Sequence, residues 1–69
     1  MTRPPLSKAA AIARYVGPRW LDPEVVLDEF ICRRDWYPED VYRGLSDAIE
    51  TGLLVRAIDG AVKRPRRRP

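Results

Sequence analysis

Lys63, Arg64, Arg66, Arg67 and Arg68 place five positive charges within residues 63–69. Side chains of this kind suit a polyanion, because neutralising phosphates releases condensed counterions. A basic run commonly contacts nucleic acid, and it also reads as a solubilising, solvated end. Ahead of it the balance reverses. Residues 1–62 hold 8 basic residues against 10 acidic ones, so the net charge of +3 averages a slightly acidic body and a strongly basic tail.

Other chemistry is narrow. The chain has no histidine and one cysteine, Cys32. Histidine acid–base catalysis and Ser-His or Cys-His nucleophiles are therefore absent. An internal disulfide cannot form, and a structural zinc site lacks its usual ligands. Carboxylate catalysis remains open on paper, but 69 residues leave little room for a dry, concave pocket. No enzyme, cofactor or metal site is expected. The hydrophobic fraction of 45% fits one small globular domain. No apolar run approaches the roughly 20 residues that cross a bilayer, and Met1–Pro5 lacks the apolar stretch of a signal peptide. The expected setting is soluble and cytoplasmic.

The elements that must position these charges follow from caps and periodicity. Residues 1–5 read as a flexible lead-in, 6–64 as the domain and 65–69 as the basic tail. Ser7 suits the N-cap of a helix ending near Val16, closed by Gly17 and Pro18, with Ala9, Ile12, Ala13 and Val16 on one face. Arg19-Trp20-Leu21 reads as a minimal strand. Asp22-Pro23-Glu24 starts a second helix reaching about Arg33, with Val26, Leu27, Phe30 and Ile31 inward. Val25 and Cys32 fall on another side, as half-buried packing residues or as a dimer or partner contact. Pro38-Glu39-Asp40 opens a third helix, with Val41, Leu45, Ala48 and Ile49 inward and Gly52 as its stop. Leu53–Ile58 and Ala61–Arg64 read as strands around Asp59-Gly60, a strong type I′ hairpin signal. A two-residue turn pairs Ile58 with Ala61, Ala57 with Val62 and Arg56 with Lys63. Val55, Ala57 and Val62 then face the core, and two like charges stand opposite each other.

This order, three helices and then a two-stranded hairpin, resembles the winged helix-turn-helix, a mainly α (α+β) fold. The segment Tyr37-Pro38-Glu39-Asp40-Val41-Tyr42-Arg43-Gly44-Leu45-Ser46-Asp47-Ala48-Ile49-Glu50-Thr51-Gly52-Leu53-Leu54 looks like the recognition helix and the start of the wing in bacterial regulators of the PadR type, and more loosely of the MarR type. The match covers about 18 residues well and the remainder by element order. It implies that the third helix enters the major groove through its N-terminal half, with the wing over backbone or minor groove. Glu39, Asp40, Tyr42, Arg43 and Ser46 would then face DNA, and Arg56, Lys63 and Arg64 would lie on the wing. The PadR-like family dimerises through a helix after its wing, where this sequence has only Pro65–Pro69. A dimer here would use the first helix or the Val25/Cys32 side.

Two functions follow as expectations. The first is a DNA-binding regulator or accessory protein contacting DNA through Arg33, Arg34, Tyr42, Arg43, Ser46, Arg56, Lys63, Arg64, Arg66, Arg67 and Arg68. Arg43 could pair with guanine or form an i,i+4 bridge to Asp47; Tyr42 could touch DNA or pack at the core edge. The second is a protein-interaction module. The third helix carries Glu39, Asp40, Asp47 and Glu50 against Arg43 alone, a net −3 that works against phosphate binding. Those carboxylates would make a docking face, with Trp20, Val25, Cys32, Trp36 and Tyr37 as further partner contacts. The bland alternative is a stabilised helix start, a solvated face and tryptophans packed around the turns. So short and Arg-rich a chain also resembles small accessory proteins of phages or actinobacteria. RNA capture by the Arg-rich tail is a third, weaker option.

Overall fold

The computed structural model describes residues 7–65. Three helices precede a two-stranded antiparallel sheet. The first helix, α1, spans Lys8–Val16. Ser7 caps it by accepting a hydrogen bond from the Ala10 N–H at 3.1 Å, and Gly17 ends it at φ 70°. Ala9, Ile12, Ala13 and Val16 are all buried, as the spacing of these residues predicts.

The second helix, α2, covers Pro23–Asp28. Asp22 accepts from the Glu24 N–H at 2.9 Å, and Pro23 occupies the first turn. The helix reaches Arg33, but not as a regular α-helix. Glu29–Arg33 form a π-helical turn, with the Arg34 N–H donating to the Glu29 carbonyl five residues back. The wider turn brings Arg34, five residues on, over Glu29, which Arg33 also reaches at i+4. Asp35 follows in the left-handed region at φ 61°, where Gly or Asn is more usual. Val26 and Phe30 are fully buried; Leu27 and Ile31 are half-buried.

The third helix, α3, spans Pro38–Glu50. Val41, Leu45 and Ala48 point inward as expected, Ile49 is half-buried, and Gly44 is buried as well. Gly44 allows the close approach of α1: a Cβ there would stand 2.6 Å from Ile12 Cδ1. The aromatic cluster Tyr15–Phe30–Trp36 closes the other side of the core, with Phe30 5.5 Å from Tyr15 and 4.6 Å from Trp36 between ring centroids.

The hairpin departs from expectation. Its strands are short, β1 at Val55–Arg56 and β2 at Val62–Lys63. Val55 pairs with Lys63 and Arg56 with Val62, one residue out of the anticipated register. Ala57 and Ala61 are joined by the Ala57 N–H to the Ala61 carbonyl at 2.8 Å, and the Gly60 N–H donates to the Ala57 carbonyl. The loop is therefore three residues, Ile58-Asp59-Gly60, with only Gly60 at positive φ (97°). A turn of this length needs one left-handed residue rather than two. Because sheet faces alternate, the slip changes which side chains reach the core. Val62 is buried, Val55 is exposed, Ala57 is half-buried, and Arg56 does not face Lys63. Leu54, ahead of the strand, fills the core place instead.

The short Trp20-Leu21 segment is tied to the hairpin. Leu21 and Val62 form an antiparallel bridge, each N–H donating to the other's carbonyl at 2.8 Å. The Arg64 N–H adds a bond to the Gly17 carbonyl. β2 thus lies between β1 and the α1–α2 connection.

Candidate nucleic-acid interface

The Leu21–Val62 bridge sets Trp20 across from Lys63, whose Nζ lies 4.7 Å from the centre of the indole ring. Pairing does not continue beyond this isolated bridge, because the Arg64 N–H donates to the Gly17 carbonyl; Arg19 and Arg64 are both exposed. Arg56 is exposed on the far strand. Lys63 thus covers Trp20, itself 48% exposed, while Arg56 stands across β2 on β1 and Arg19 and Arg64 each lie two residues from the bridge. Two acids are held by backbone donors and keep their charge: Asp22 accepts from Glu24 N–H, and Asp59 from Ala61 N–H at 3.1 Å. Arg19 was not among the sequence candidates. The signal was partly present, because the minimal strand at Arg19–Leu21 is tied to the hairpin through Leu21 and Val62.

α3 presents a second surface. Glu39, Tyr42, Arg43, Ser46, Asp47 and Glu50 recur at helical spacing and are all exposed. This outward stripe holds three carboxylates and one guanidinium, a net −2. Tyr42 does not pack at the core edge; it is 59% exposed. The Arg43–Asp47 ion pair does not form among the described residues. Asp40 turns away from the stripe and pairs with Lys8 Nζ on α1 at 3.1 Å. Lys8, Asp40, Arg43, Asp47, Thr51 and Leu53 line an open groove between the two helices.

Arg33 and Arg34 join neither surface as free cations. Both reach Glu29, at 3.8 Å and 3.2 Å, and the Arg34 guanidinium lies 4.5 Å from the Phe30 ring centre. Stacking and ion pairing make Arg34 a lid on the aromatic cluster. Among the residues anticipated for partner contact, Trp36 packs half-buried against the core and Tyr37 is open to solvent. Val25 and Cys32, expected half-buried, are both exposed, because the stripe packed inward is Val26, Leu27, Phe30 and Ile31. The Cys32 thiol donates to Asp28 Oδ1 at 3.5 Å. That hydrogen bond, and then the carboxylate's charge, raise the thiol pKa above its ordinary value. Arg66, Arg67 and Arg68 lie outside the described residues.

Among the described residues, no group of three or more His, Cys, Asp or Glu side chains is placed to hold a metal ion, and no helix is long and apolar enough to cross a membrane. No family model matches the chain, and neither curated proteins nor solved structures give a match.

Proposed function

We propose that this chain is a small winged helix-turn-helix protein that binds DNA in the cytoplasm, as a transcriptional regulator or accessory factor of bacterial or phage origin. The observation that carries this reading is the concentration of cations on the hairpin and the segment bridged to it: Arg56 on β1, Lys63 beside Trp20, and Arg19 and Arg64 each two residues from the Leu21–Val62 bridge. The sequence continues from β2 into Arg66, Arg67 and Arg68. Such an arrangement grips phosphates, so backbone contact supplies the affinity. α3, with its net negative stripe, contributes at most a base contact from Arg43 and polar contacts from Tyr42 and Ser46. This reading keeps the PadR-like element order and moves the weight of binding from the recognition helix to the wing.

The test is duplex binding at several salt concentrations. Affinity should fall steeply with salt. Cutting after Pro65 removes three arginines and should flatten the log–log slope by as much as ~2.7. Arg19→Ala with Arg64→Ala should flatten it by as much as ~1.8 more. Absence of binding at low salt would overturn the reading.

A second reading has its own support. Tyr37 and Tyr42 are 73% and 59% exposed near Glu39, on or beside the α3 stripe. Exposed aromatics among carboxylates suit a basic protein partner, since tyrosine is common among residues that dominate binding energy. Retention of a partner by wild type, and its loss with Tyr42→Ala, would favour this reading.

A further inference from the structure

We propose that Ile58 is an apolar wedge that enters the minor groove of duplex DNA and opens a base step. The inference rests on the DNA-binding reading above and deepens it. Ile58 sits at the apex of the hairpin with its side chain entirely in solvent, at 109% relative exposure. No other large hydrophobic residue among those described is so open. Turn positions normally take Gly, Pro, Asn, Asp or Ser, so isoleucine there has no local advantage. Burial is the ordinary gain from an isoleucine, and this one has nothing in the described structure to bury it.

The apex is held in shape. Ala57 N–H bonds to the Ala61 carbonyl, Gly60 N–H to the Ala57 carbonyl, and Ala61 N–H to Asp59 Oδ1. A side chain on so restrained a loop loses little freedom on binding. Cations lie behind it: Arg56 two residues before, Lys63 and Arg64 on the returning strand. Ile58 stands two residues beyond Arg56, at most roughly 7 Å at the rise of an extended strand, and its side chain extends the reach. The minor groove is roughly 7.5 Å deep. With Arg56 and Arg64 at phosphates, the apex has the reach to meet the groove floor. Aliphatic side chains inserted there partly unstack a base step and kink the duplex. Asp59 opposes the approach with one negative charge, so Asp59→Asn should tighten binding.

The experiment uses the full chain and a duplex of roughly 25 base pairs with a central TA step, which kinks readily. The ends carry a donor and acceptor dye, and 2-aminopurine beside the step reports unstacking. Wild-type protein should raise energy transfer and 2-aminopurine emission together. Ile58→Ser should lose both signals and keep its salt slope, since the slope counts phosphate contacts; Ile58→Phe should restore them. Circular dichroism confirms that the variants fold. Salt-dependent binding by wild type without bending or unstacking overturns the wedge and leaves the DNA reading standing. Equal bending by Ile58→Ser overturns it too. No binding at low salt overturns both.

Discussion

Gly44 is the residue on which the contact between α1 and α3 turns. Its missing side chain leaves the space that Ile12 Cδ1 occupies. Gly44→Ala should raise helix propensity locally and still destabilise the domain, by about 1–3 kcal/mol, because the added methyl overlaps a packed atom. Ile12→Val removes that atom and should recover part of the loss. Urea denaturation of the two single variants and the double variant measures the coupling, which is zero if the contact is unimportant. Cys32 gives a second test. The thiolate is the reactive form, and Asp28 disfavours it. Alkylation of Cys32 should be slower at neutral pH than for an unperturbed thiol and should accelerate as pH rises. Asp28→Asn should speed the neutral-pH reaction, and an unchanged rate would mean that the Asp28 contact has no influence in solution.

At the level of elements, the hairpin loop is the most informative. Gly60 takes φ 97°, so Gly60→Ala should cost roughly 1–2 kcal/mol. Hydrogen exchange at the Ala57 amide should quicken first, since that amide closes the loop. Ser7→Ala should cost about 1 kcal/mol by leaving the Ala10 amide without its cap. The caps and inward faces of α1 and α3 were legible in the sequence because they depend on neighbours three or four residues away. Register was not legible, because Asp59-Gly60 is compatible with a two-residue turn and equally with a three-residue loop having Gly last. The choice is made by distant contacts: Val62 must pair with Leu21 while Leu54 fills the core. The π turn was also hidden, since nothing in Glu29–Arg33 breaks the helical pattern. The basic residues were half legible. Lys63, Arg64 and Arg56 stood out as charges, whereas the Arg19 segment is tied to the hairpin only through the Leu21–Val62 bridge.

For the whole molecule, the hairpin holds Arg56, Lys63 and Arg64 against Asp59 alone, and the outward stripe of α3 holds three carboxylates against Arg43. β2 is also structural, which dictates where the chain can be cut. Truncation after Pro65 should leave the fold intact. Truncation after Ala61 removes the Leu21–Val62 bridge and the Arg64–Gly17 bond together. Thermal unfolding should separate the two, with a clear transition for the longer chain and none for the shorter. A transition in both would show that the bridge is dispensable.

The same bridge bears on how the protein is made. Val62 follows every other core residue in the sequence, and its partner Leu21 lies 41 residues earlier. Synthesis proceeds from the N-terminus, so α1, α2 and α3 all emerge before the strand that completes their packing. Until then the part of α1 that β2 packs against lacks its cover and is open to non-specific association. A stalled nascent chain ending before Val62 should be cut quickly by a protease, and one extended well past Pro65 should resist it.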